Sequence, residues 1–171
     1  MELYKNEHTL LRYAEEKDAP LILEFIRGLA EYEHLLDQVE ATEEDLRKHI
    51  FHEGPAAVII AEYDGVPAGF ALYFSNFSTF LGRPGIYIED LFVKPELRGK
   101  GLGKALLTCL AALAVEKNCG RLEWSCLNWN ESSIAFYKSR GAQPLSEWTT
   151  FRVTGDRLTD LAKKNPHTGK I

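Results

Sequence analysis

The segment Arg98–Ala105, "RGKGLGKA", is the stretch from which the fold is best inferred. It lies between an apolar run at 87–93, "YIEDLFV", and a stretch at 102–117, "LGKALLTCLAALAVEK", whose apolar spacing predicts a helix. Three glycines in five residues at a strand-to-helix junction allow a backbone to come close to a ligand. The loop therefore indicates either a phosphate-binding turn or a tight turn alone.

Two familiar phosphate motifs do not fit this loop. A Rossmann fingerprint starting at Gly99 needs a third glycine where Lys104 stands, and a P-loop needs glycine at Arg98 and Ser or Thr at Ala105. What remains is Arg-x-x-Gly-x-Gly at the start of a helix, where unpaired N–H groups and the helix dipole favour an anion. A pyrophosphate site and a glycine-rich turn with incidental basic residues both stay open on the loop alone.

The flanking segments predict one domain over residues 1–171, with a mixed α/β (α+β) fold. A hairpin turning at Asp64-Gly65 and a later β-α-β unit predict a mostly antiparallel sheet with one parallel unit, flanked by helices. The expected strands are 9–14, 57–62, 66–74, 85–93, 121–127 and 148–153. The expected helices are one capped by Asp18, one starting at Thr42, 101–117, one from Asn130 to Gly141, and a short helix or extended arm at 156–164.

Composition narrows the class of protein. The chain is 45% apolar and 26% charged, as globular domains are, and its net charge of −5 argues against general nucleic-acid binding. No apolar run is long enough to span a membrane, and the charged N-terminus does not resemble a secretory signal. Three cysteines without a C-x-x-C pattern and five scattered histidines predict reduced thiols, a cytoplasmic protein and no metal site.

Two motifs together give a more specific interpretation. The stretch 88–107, "IEDLFVKPELRGKGLGKALL", resembles the acetyl-coenzyme A-binding core of the GNAT N-acetyltransferases, with Arg98, Gly101 and Gly103 at the positions of [QR]-x-x-G-x-[GA]. The later stretch 128–142, "NWNESSIAFYKSRGA", resembles the second conserved segment of that superfamily. The resemblance implies the GNAT fold and acetyl-CoA as the cofactor.

The likeness extends to one branch of the superfamily. The stretches "LAEYEHLLDQV" (29–39), "IYIEDLFV" (86–93) and "GAQPLSEW" (141–148) resemble the diamine acetyltransferases, which act on spermidine and spermine or on thialysine. At Ser78 the polyamine branch carries an acid, and "STF" at 78–80 is closer to the thialysine branch. The implied reaction is acetyl transfer to a primary amine of a small diamine, polyamine or lysine-like substrate, by a protein that is usually a homodimer.

The resemblance also assigns roles to residues. Glu89 is expected to act as the base, through a water molecule, and Tyr137 as the acid that protonates the leaving sulfur. We expect Glu89 and Asp90 to point to opposite sides of their strand, with Tyr87, Glu89, Leu91 and Val93 on one face. Cofactor binding is expected from Leu91, Phe92, Val93, Arg98, Gly99, Lys100, Gly101, Leu102, Gly103, Lys104, Asn130 and Ser133, and amine binding from Tyr32, Glu33, Glu89, Glu123 and Trp124.

Two alternatives accompany this hypothesis. The same fold could acetylate a protein lysine or an antibiotic amine, or it could be a catalytically silent coenzyme A-binding module. The presence of both Glu89 and Tyr137 favours an enzyme over a silent module.

Overall fold

A six-stranded mixed sheet forms the framework of the protein in a computed structural model that describes residues 1–165. The strands are β1 (Glu2–Lys5), β2 (Thr9–Tyr13), β3 (Ala57–Tyr63), β4 (Val66–Ser78), β5 (Arg83–Val93) and β6 (Leu122–Trp124). They lie side by side in chain order, and all neighbours are antiparallel except β6, which runs parallel to β5. This topology confirms the predicted fold class.

The helices also follow the predicted order. They are α1 (Ala19–Tyr32), α2 (Glu43–Leu46), which continues as a π-helical turn over Arg47–His52, α3 (Leu102–Glu116), α4 (Glu131–Ser139) and α5 (Gly155–Lys163). Short 3₁₀ turns precede α1, follow α1 and join β5 to the loop before α3. The segment at 156–164, which the sequence left open between helix and arm, is thus mostly helical.

The hairpin between β3 and β4 turns at Asp64-Gly65, as predicted. Both residues have positive φ, 49° and 77°, which is the signature of a type I′ turn. Because this turn matches the twist of the strands, it fixes their register and places Tyr63 directly opposite Val66. The turn lies at the same end of the sheet as the end of β5, since Gly69 pairs with Val93.

Alternating residues of the central strands cover both faces of the sheet. Val58 and Ile60 pack with α1, whereas Ile59 and Ala61, on the other face, are completely buried as well. The second face is covered by α3, which packs against β3, β4 and β5 through its buried leucines. A strand buried on both faces has to be apolar throughout, and this accounts for the run "AVIIA".

Aromatic rings join α1 to the strands that carry the site. Phe25 of α1 stacks on Phe70 of β4 with ring centroids 5.5 Å apart, and it lies 6.2 Å from Phe92 of β5. Gly28 allows this approach, because a Cβ at this position would lie only 2.9 Å from the Phe92 ring. The end of β5 is therefore held tightly against α1.

Local capping confirms most of the predicted helix ends. Thr42 forms a capping box with Asp45, and the side chain of Asn130 accepts a hydrogen bond from the Ser133 N–H at 3.2 Å. Gly141 follows α4 with φ of 91°, as expected for a left-handed cap. Asp18 does precede α1, but its carboxylate does not cap that helix; it accepts hydrogen bonds from Arg12 instead.

Parts of the strand prediction need correction. Residues 148–153 are not a strand, although "WTTFRV" has the composition of one, and Trp148 and Phe151 are exposed. The strand predicted at 121–127 is only three residues long, and β1 was not predicted because its charged residues show no apolar alternation. Backbone pairing with a neighbour determines these strands, and composition alone does not report it.

Contacts divide the chain into two compact units, Met1–Ser125 and Cys126–Ile171, the second described as far as residue 165. The single domain expected from the sequence stays a prediction. Within residues 1–165, no helix is long and apolar enough to cross a membrane.

Candidate active site

The glycine loop after β5 has the geometry of an open anion site. Gly99 and Gly101 have φ of 79° and 86°, a conformation that favours glycine, and α3 begins immediately after them at Leu102. A Cβ at Gly99, Gly101 or Gly103 would meet no atom within 4 Å. The glycines therefore leave the start of α3 uncrowded, and the first N–H groups of a helix have no partner within it, so an anion could bind there.

Two cations of the loop lie on aromatic rings. The Arg98 guanidinium is 4.5 Å from the centroid of the Tyr32 ring, and the Lys100 Nζ is 4.3 Å from the centroid of Tyr63. Arg98 also donates a hydrogen bond from Nε to the carbonyl oxygen of Val93 at 3.1 Å, which ties the loop to the end of β5. Tyr32 was predicted as an amine-binding residue, and the structure places it against a residue of the predicted cofactor loop.

The last part of β5 has a free strand edge in the sheet. Ile86, Tyr87 and Ile88 pair with β6, so within residues 1–165 the segment 89–93 has a strand neighbour on the β4 side alone. The side chains of Phe92 and Val93 are buried, so a ligand at this edge would bind their backbone N–H and C=O groups. An extended ligand can add to such an edge by sheet-like hydrogen bonds.

A β-bulge lies at Glu89. The ladder pairs Leu72 with Asp90 but Tyr73 with Ile88, so β5 contains one residue more than β4 at this point. Opposite residues in a ladder share a face, and consecutive residues of β4 alternate. Ile88 and Asp90 consequently lie on opposite faces, although residues two apart in a regular strand share one.

The predicted grouping of Tyr87, Glu89, Leu91 and Val93 on one face is therefore wrong. The register places Tyr87 on the face of Asp90 and Phe92, which is the face packed against α1, and it places Leu91 and Val93 on the other. Glu89 is the extra residue of the bulge, and its side chain is exposed.

The acids near the bulge influence one another. Burial, and to a smaller extent the negative charges of Glu89 and Glu33, raises the pKa of Asp90 to about 6. Burial also raises the pKa of Glu33, at the end of α1. Three carboxylates thus create a negative potential at this place, which favours a cationic ligand. The sequence predicted Glu89 but not Asp90 as a site residue, and the raised pKa of Asp90 is a property that composition does not reveal.

Glu123 and Trp124 lie on β6, beside β5. The Glu123 carboxylate lies 2.8 Å from Nε of Arg121 and accepts a hydrogen bond from the side chain of Asn76 at 2.8 Å. Because its charge is already compensated, Glu123 has less to offer an ammonium group than Glu33 or Asp90.

The remaining predicted residues lie in the second unit. Asn130 is buried and caps α4, so its amide oxygen and the N–H of Ser133 bind each other. Tyr137 is half-buried on α4, with its ring 5.3 Å from that of Phe136. Within residues 1–165, no three His, Cys, Asp or Glu side chains are grouped so that they could hold a metal ion.

Comparison with known proteins identifies the class. The model of the Acetyltransferase (GNAT) family matches residues 9–142, which is most of the chain. The chain belongs to this family, and the sheet with its parallel β5–β6 pair and glycine loop is the fold that the family shares. The protein is an acetyl-CoA-dependent N-acetyltransferase that acts on amines.

Individual relatives resemble the chain over most of its length. Thialysine N-epsilon-acetyltransferase of Bos taurus is 41% identical over 167 residues, which cover 91% of this chain and 98% of that protein. Spermidine/spermine N(1)-acetyltransferase-like protein 1 of Homo sapiens is 34% identical over 89% of this chain and 23% of its own length. The solved structure of an integron cassette protein from the mobile metagenome of V. cholerae has a TM-score of 0.77 and 30% identity, covering 92% of this chain and 99% of that one.

Proposed function

We propose that this enzyme acetylates the primary amine of a small diamine or of a lysine-like acceptor such as thialysine. The observation that carries the proposal is the group of three carboxylates, Glu33, Glu89 and Asp90, whose mutual repulsion contributes to the raised pKa of Asp90. An alkyl amine has a pKa of about 10.4 and arrives as a cation, which such a group attracts. The names of the relatives point to the same substrate class.

Ser78 favours a lysine-like acceptor over a long polyamine. Its side chain is 5% exposed, and its hydroxyl accepts a hydrogen bond from the N–H of Leu81 at 3.2 Å. A neutral residue committed to a turn provides no additional anionic contact for a second or third ammonium group. We therefore expect thialysine and short diamines to be better acceptors than spermine.

The residues present fit the phosphates and the pantetheine arm of acetyl-CoA. The open glycine loop, with Arg98, Lys100 and Lys104 around the start of α3, would hold the pyrophosphate through Gly99, Gly101, Leu102 and Gly103. The free edge of β5 at Leu91, Phe92 and Val93 would bind the pantetheine arm, and Asn130 and Ser133 are proposed as further contacts. When bound, acetyl-CoA supplies the thioester carbonyl that the amine attacks.

The base is proposed to be Glu89, acting through a water molecule. An ammonium group must lose a proton before its nitrogen can attack, and Glu89 is an exposed carboxylate beside the half-buried Asp90. The proton leaves the nitrogen for water and then for Glu89, while Asp90 and Glu33 hold the cation in place. The rest of the acceptor site is proposed to be lined by Tyr32, Glu123 and Trp124.

The acid is proposed to be Tyr137. Its hydroxyl would donate a proton to the sulfur as the carbon–sulfur bond breaks. A phenol, with a pKa of about 10, is a weaker acid than a thiol at about 8.5, so complete transfer costs about 2 kcal/mol. Tyr137 therefore assists the departure of the sulfur, and the bulk solvent restores its proton.

The test is a panel of amines with acetyl-CoA and the purified enzyme. We expect thialysine and short diamines to be acetylated, with Tyr137→Phe and Glu89→Gln lowering kcat by about 10²-fold each. Coenzyme A binding, measured by calorimetry, should change less than twofold in both variants. Background turnover of every small amine, with acetylation of a protein lysine or of an aminoglycoside, would contradict the substrate class.

Calorimetry with wild type and Tyr137→Phe separates coenzyme A binding from the chemical step. Unchanged turnover in Tyr137→Phe would remove Tyr137 from the mechanism and leave the substrate proposal intact.

We further propose a homodimer in the cytoplasm, without membrane or nucleic-acid partners. The resemblance to the diamine acetyltransferases supports the dimer, and the absence of a disulfide among Cys109, Cys119 and Cys126, all within the described residues, is consistent with a reducing compartment. Light scattering after gel filtration should give twice the mass of one chain. A monomer at all concentrations would contradict the dimer.

A further inference from the structure

Lys100 is held by a ring from a distant part of the sheet. Its Nζ lies 4.3 Å from the centroid of Tyr63, the last residue of β3. Lys100 is the middle residue between Gly99 and Gly101, which both have positive φ. The contact therefore fixes the loop at its most adaptable point.

The Tyr63 ring is itself fixed in position. The His8 ring stacks on it with centroids 5.6 Å apart and 24° between the planes. His8 is in turn oriented by Asp64, because its Nδ1 lies 2.7 Å from the Asp64 carboxylate. The backbone of Tyr63 pairs with Thr9 and Val66, so the ring stands on a rigid hairpin.

A cation that lies on an aromatic ring can still use its charge to bind an anion. Within residues 1–165, neither Arg98 nor Lys100 forms an ion pair with a carboxylate, and both lie on tyrosine rings. A carboxylate would position these cations but would also neutralise them and repel a phosphate. A ring face attracts the cation through its quadrupole without bringing an opposing charge.

The loop needs such external support, because its glycines have no side chains that could anchor it. Positions equivalent to Cβ at Gly99, Gly101 and Gly103 are empty to 4 Å. Arg98 is anchored by Tyr32 and by the carbonyl of Val93, whereas the Tyr63 ring is the contact described for Lys100. Two rings from two different elements thus hold the two cations that flank Gly99.

We propose that Tyr63 is a positioning residue for the cofactor: its ring holds Lys100 so that the ammonium group is directed toward the phosphates of coenzyme A. The inference rests on the proposed cofactor site. Tyr63 touches neither the amine nor the thioester in this scheme, so it affects cofactor affinity and leaves the chemical step unchanged.

The test compares coenzyme A binding by calorimetry in wild type, Tyr63→Leu and Tyr63→Phe. We expect Tyr63→Leu to raise the Kd for coenzyme A about two- to fivefold. The Kd of Tyr63→Phe should stay within experimental error of the wild-type value, because the ring face is retained. Tyr4→Leu, the same change at an exposed tyrosine of β1, is the matched control and should bind as wild type does. Thermal unfolding verifies that each variant is folded.

Two further readouts separate positioning from a general structural effect. In Tyr63→Leu, KM for acetyl-CoA should rise while kcat stays constant, and KM for S-acetylpantetheine, which lacks the phosphates, should not change. In a double-mutant cycle, Tyr63→Leu should not weaken coenzyme A binding further when Lys100→Met is already present.

Several results would overturn the proposal. These are an unchanged Kd for coenzyme A in Tyr63→Leu, an equal rise of this Kd in Tyr63→Phe, or additive effects of Tyr63→Leu and Lys100→Met on it. An equal rise of KM for S-acetylpantetheine in Tyr63→Leu would overturn the proposal as well. If wild type itself does not bind coenzyme A, the proposed cofactor site fails, and this outcome is distinct from a failure confined to Tyr63.

Discussion

Asp90 and Glu89 are adjacent carboxylates in different surroundings. Asp90 lies on the face of β5 that packs against α1, and burial together with Glu89 and Glu33 raises its pKa to about 6. Glu89 is the exposed extra residue of the bulge. A carboxylate kept in such a place is unfavourable for the fold, and this cost is expected where a function requires the charge.

We predict that Asp90→Asn stabilises the protein above pH 6 and lowers its activity. The ordinary pKa of 3.8 is raised to about 6 in the folded state, so the folded protein loses stability as the pH rises through this range, by at most about 3 kcal/mol. The variant should thus gain about 1–3 kcal/mol in the free energy of unfolding at pH 7.5 and almost nothing at pH 3.8.

The measurement is urea unfolding at the two pH values, together with KM for the amine. Asp37→Asn, at an exposed carboxylate after α1, is the control and should change neither quantity. A loss of stability in Asp90→Asn at pH 7.5 would show that the charged form is favoured in the folded state, contrary to this account.

Features that depend on neighbouring residues in the chain were predictable from the sequence, and features that depend on residues far apart in the chain were not. The glycines of the loop and the cap at Asn130 follow from the sequence within a few residues. The orientation of Asp90 depends on the pairing of β5 with β4, and the contact of Lys100 with Tyr63 joins segments far apart in the chain. The bulge does not show in the alternation of residues, because Ile86, Ile88 and Phe92 keep an even spacing although Phe92 lies on the other face from Ile88.

The junction between β4 and the end of β5 is the element on which the glycine loop depends. Gly69 faces this junction, and a Cβ there would lie 2.3 Å from the carbonyl oxygen of Phe92 and 3.0 Å from the Cα of Val93. These are backbone atoms, which cannot move without separating the strands. The Val93 carbonyl also accepts the hydrogen bond from Arg98, so a displacement would reach the loop.

We predict that Gly69→Ala destabilises the protein by about 1–3 kcal/mol and raises KM for acetyl-CoA, because the added methyl group forces β4 away from β5. Chemical unfolding and steady-state kinetics measure the two effects. Gly103→Ala is the stability control: its methyl group would meet no atom within 4 Å, and it should stabilise α3 by about 0.5–1 kcal/mol. Equal stabilities of Gly69→Ala and wild type would show that the junction is more adaptable than the distances indicate.

Periodicity predicted the helices better than the strands at the edge of the sheet. The apolar face of α3 is decided by residues within the helix itself, so its observed start and end agree closely with the prediction. The segment 148–153 has strand-forming residues, but a strand needs a partner, and a partner cannot be deduced from its own residues. The same reason accounts for the unpredicted β1, whose charged residues pair with β2.

Across the whole first unit, Arg12 joins three elements. Its guanidinium on β2 lies 2.7 Å from the Asp18 carboxylate, before α1, and 2.8 Å from Glu62 on β3. The pairing holds the pKa of Asp18 below its ordinary value, with the hydrogen bond from Arg12 as the largest cause. The sheet and the first helix are therefore fixed to each other by charge as well as by the Phe25 ring.

We predict that Arg12→Met destabilises the protein by about 3 kcal/mol at pH 7, because two partly buried carboxylates lose their partner. Since the pKa of Asp18 is lowered in the folded state, this contribution is present above pH 3.8 and is lost as the pH falls below it. Unfolding experiments at pH 7 and pH 3 measure the difference. Arg47→Met removes an exposed ion pair with Glu43 and should cost at most about 0.5 kcal/mol; an equal loss in both variants would contradict the account.

The bulge at Glu89 should make the central sheet tolerant of a deletion at this position. Deleting a residue from a central strand normally turns every later side chain to the wrong face. Here Ile88 already pairs with Tyr73 and Asp90 with Leu72, so a chain without Glu89 would form an uninterrupted ladder with every neighbour on its present face. We expect the deletion variant to fold and to bind coenzyme A while losing turnover, as measured by unfolding, calorimetry and kinetics. If it does, the sheet does not require Glu89, and the proposed chemistry accounts for its presence in the strand.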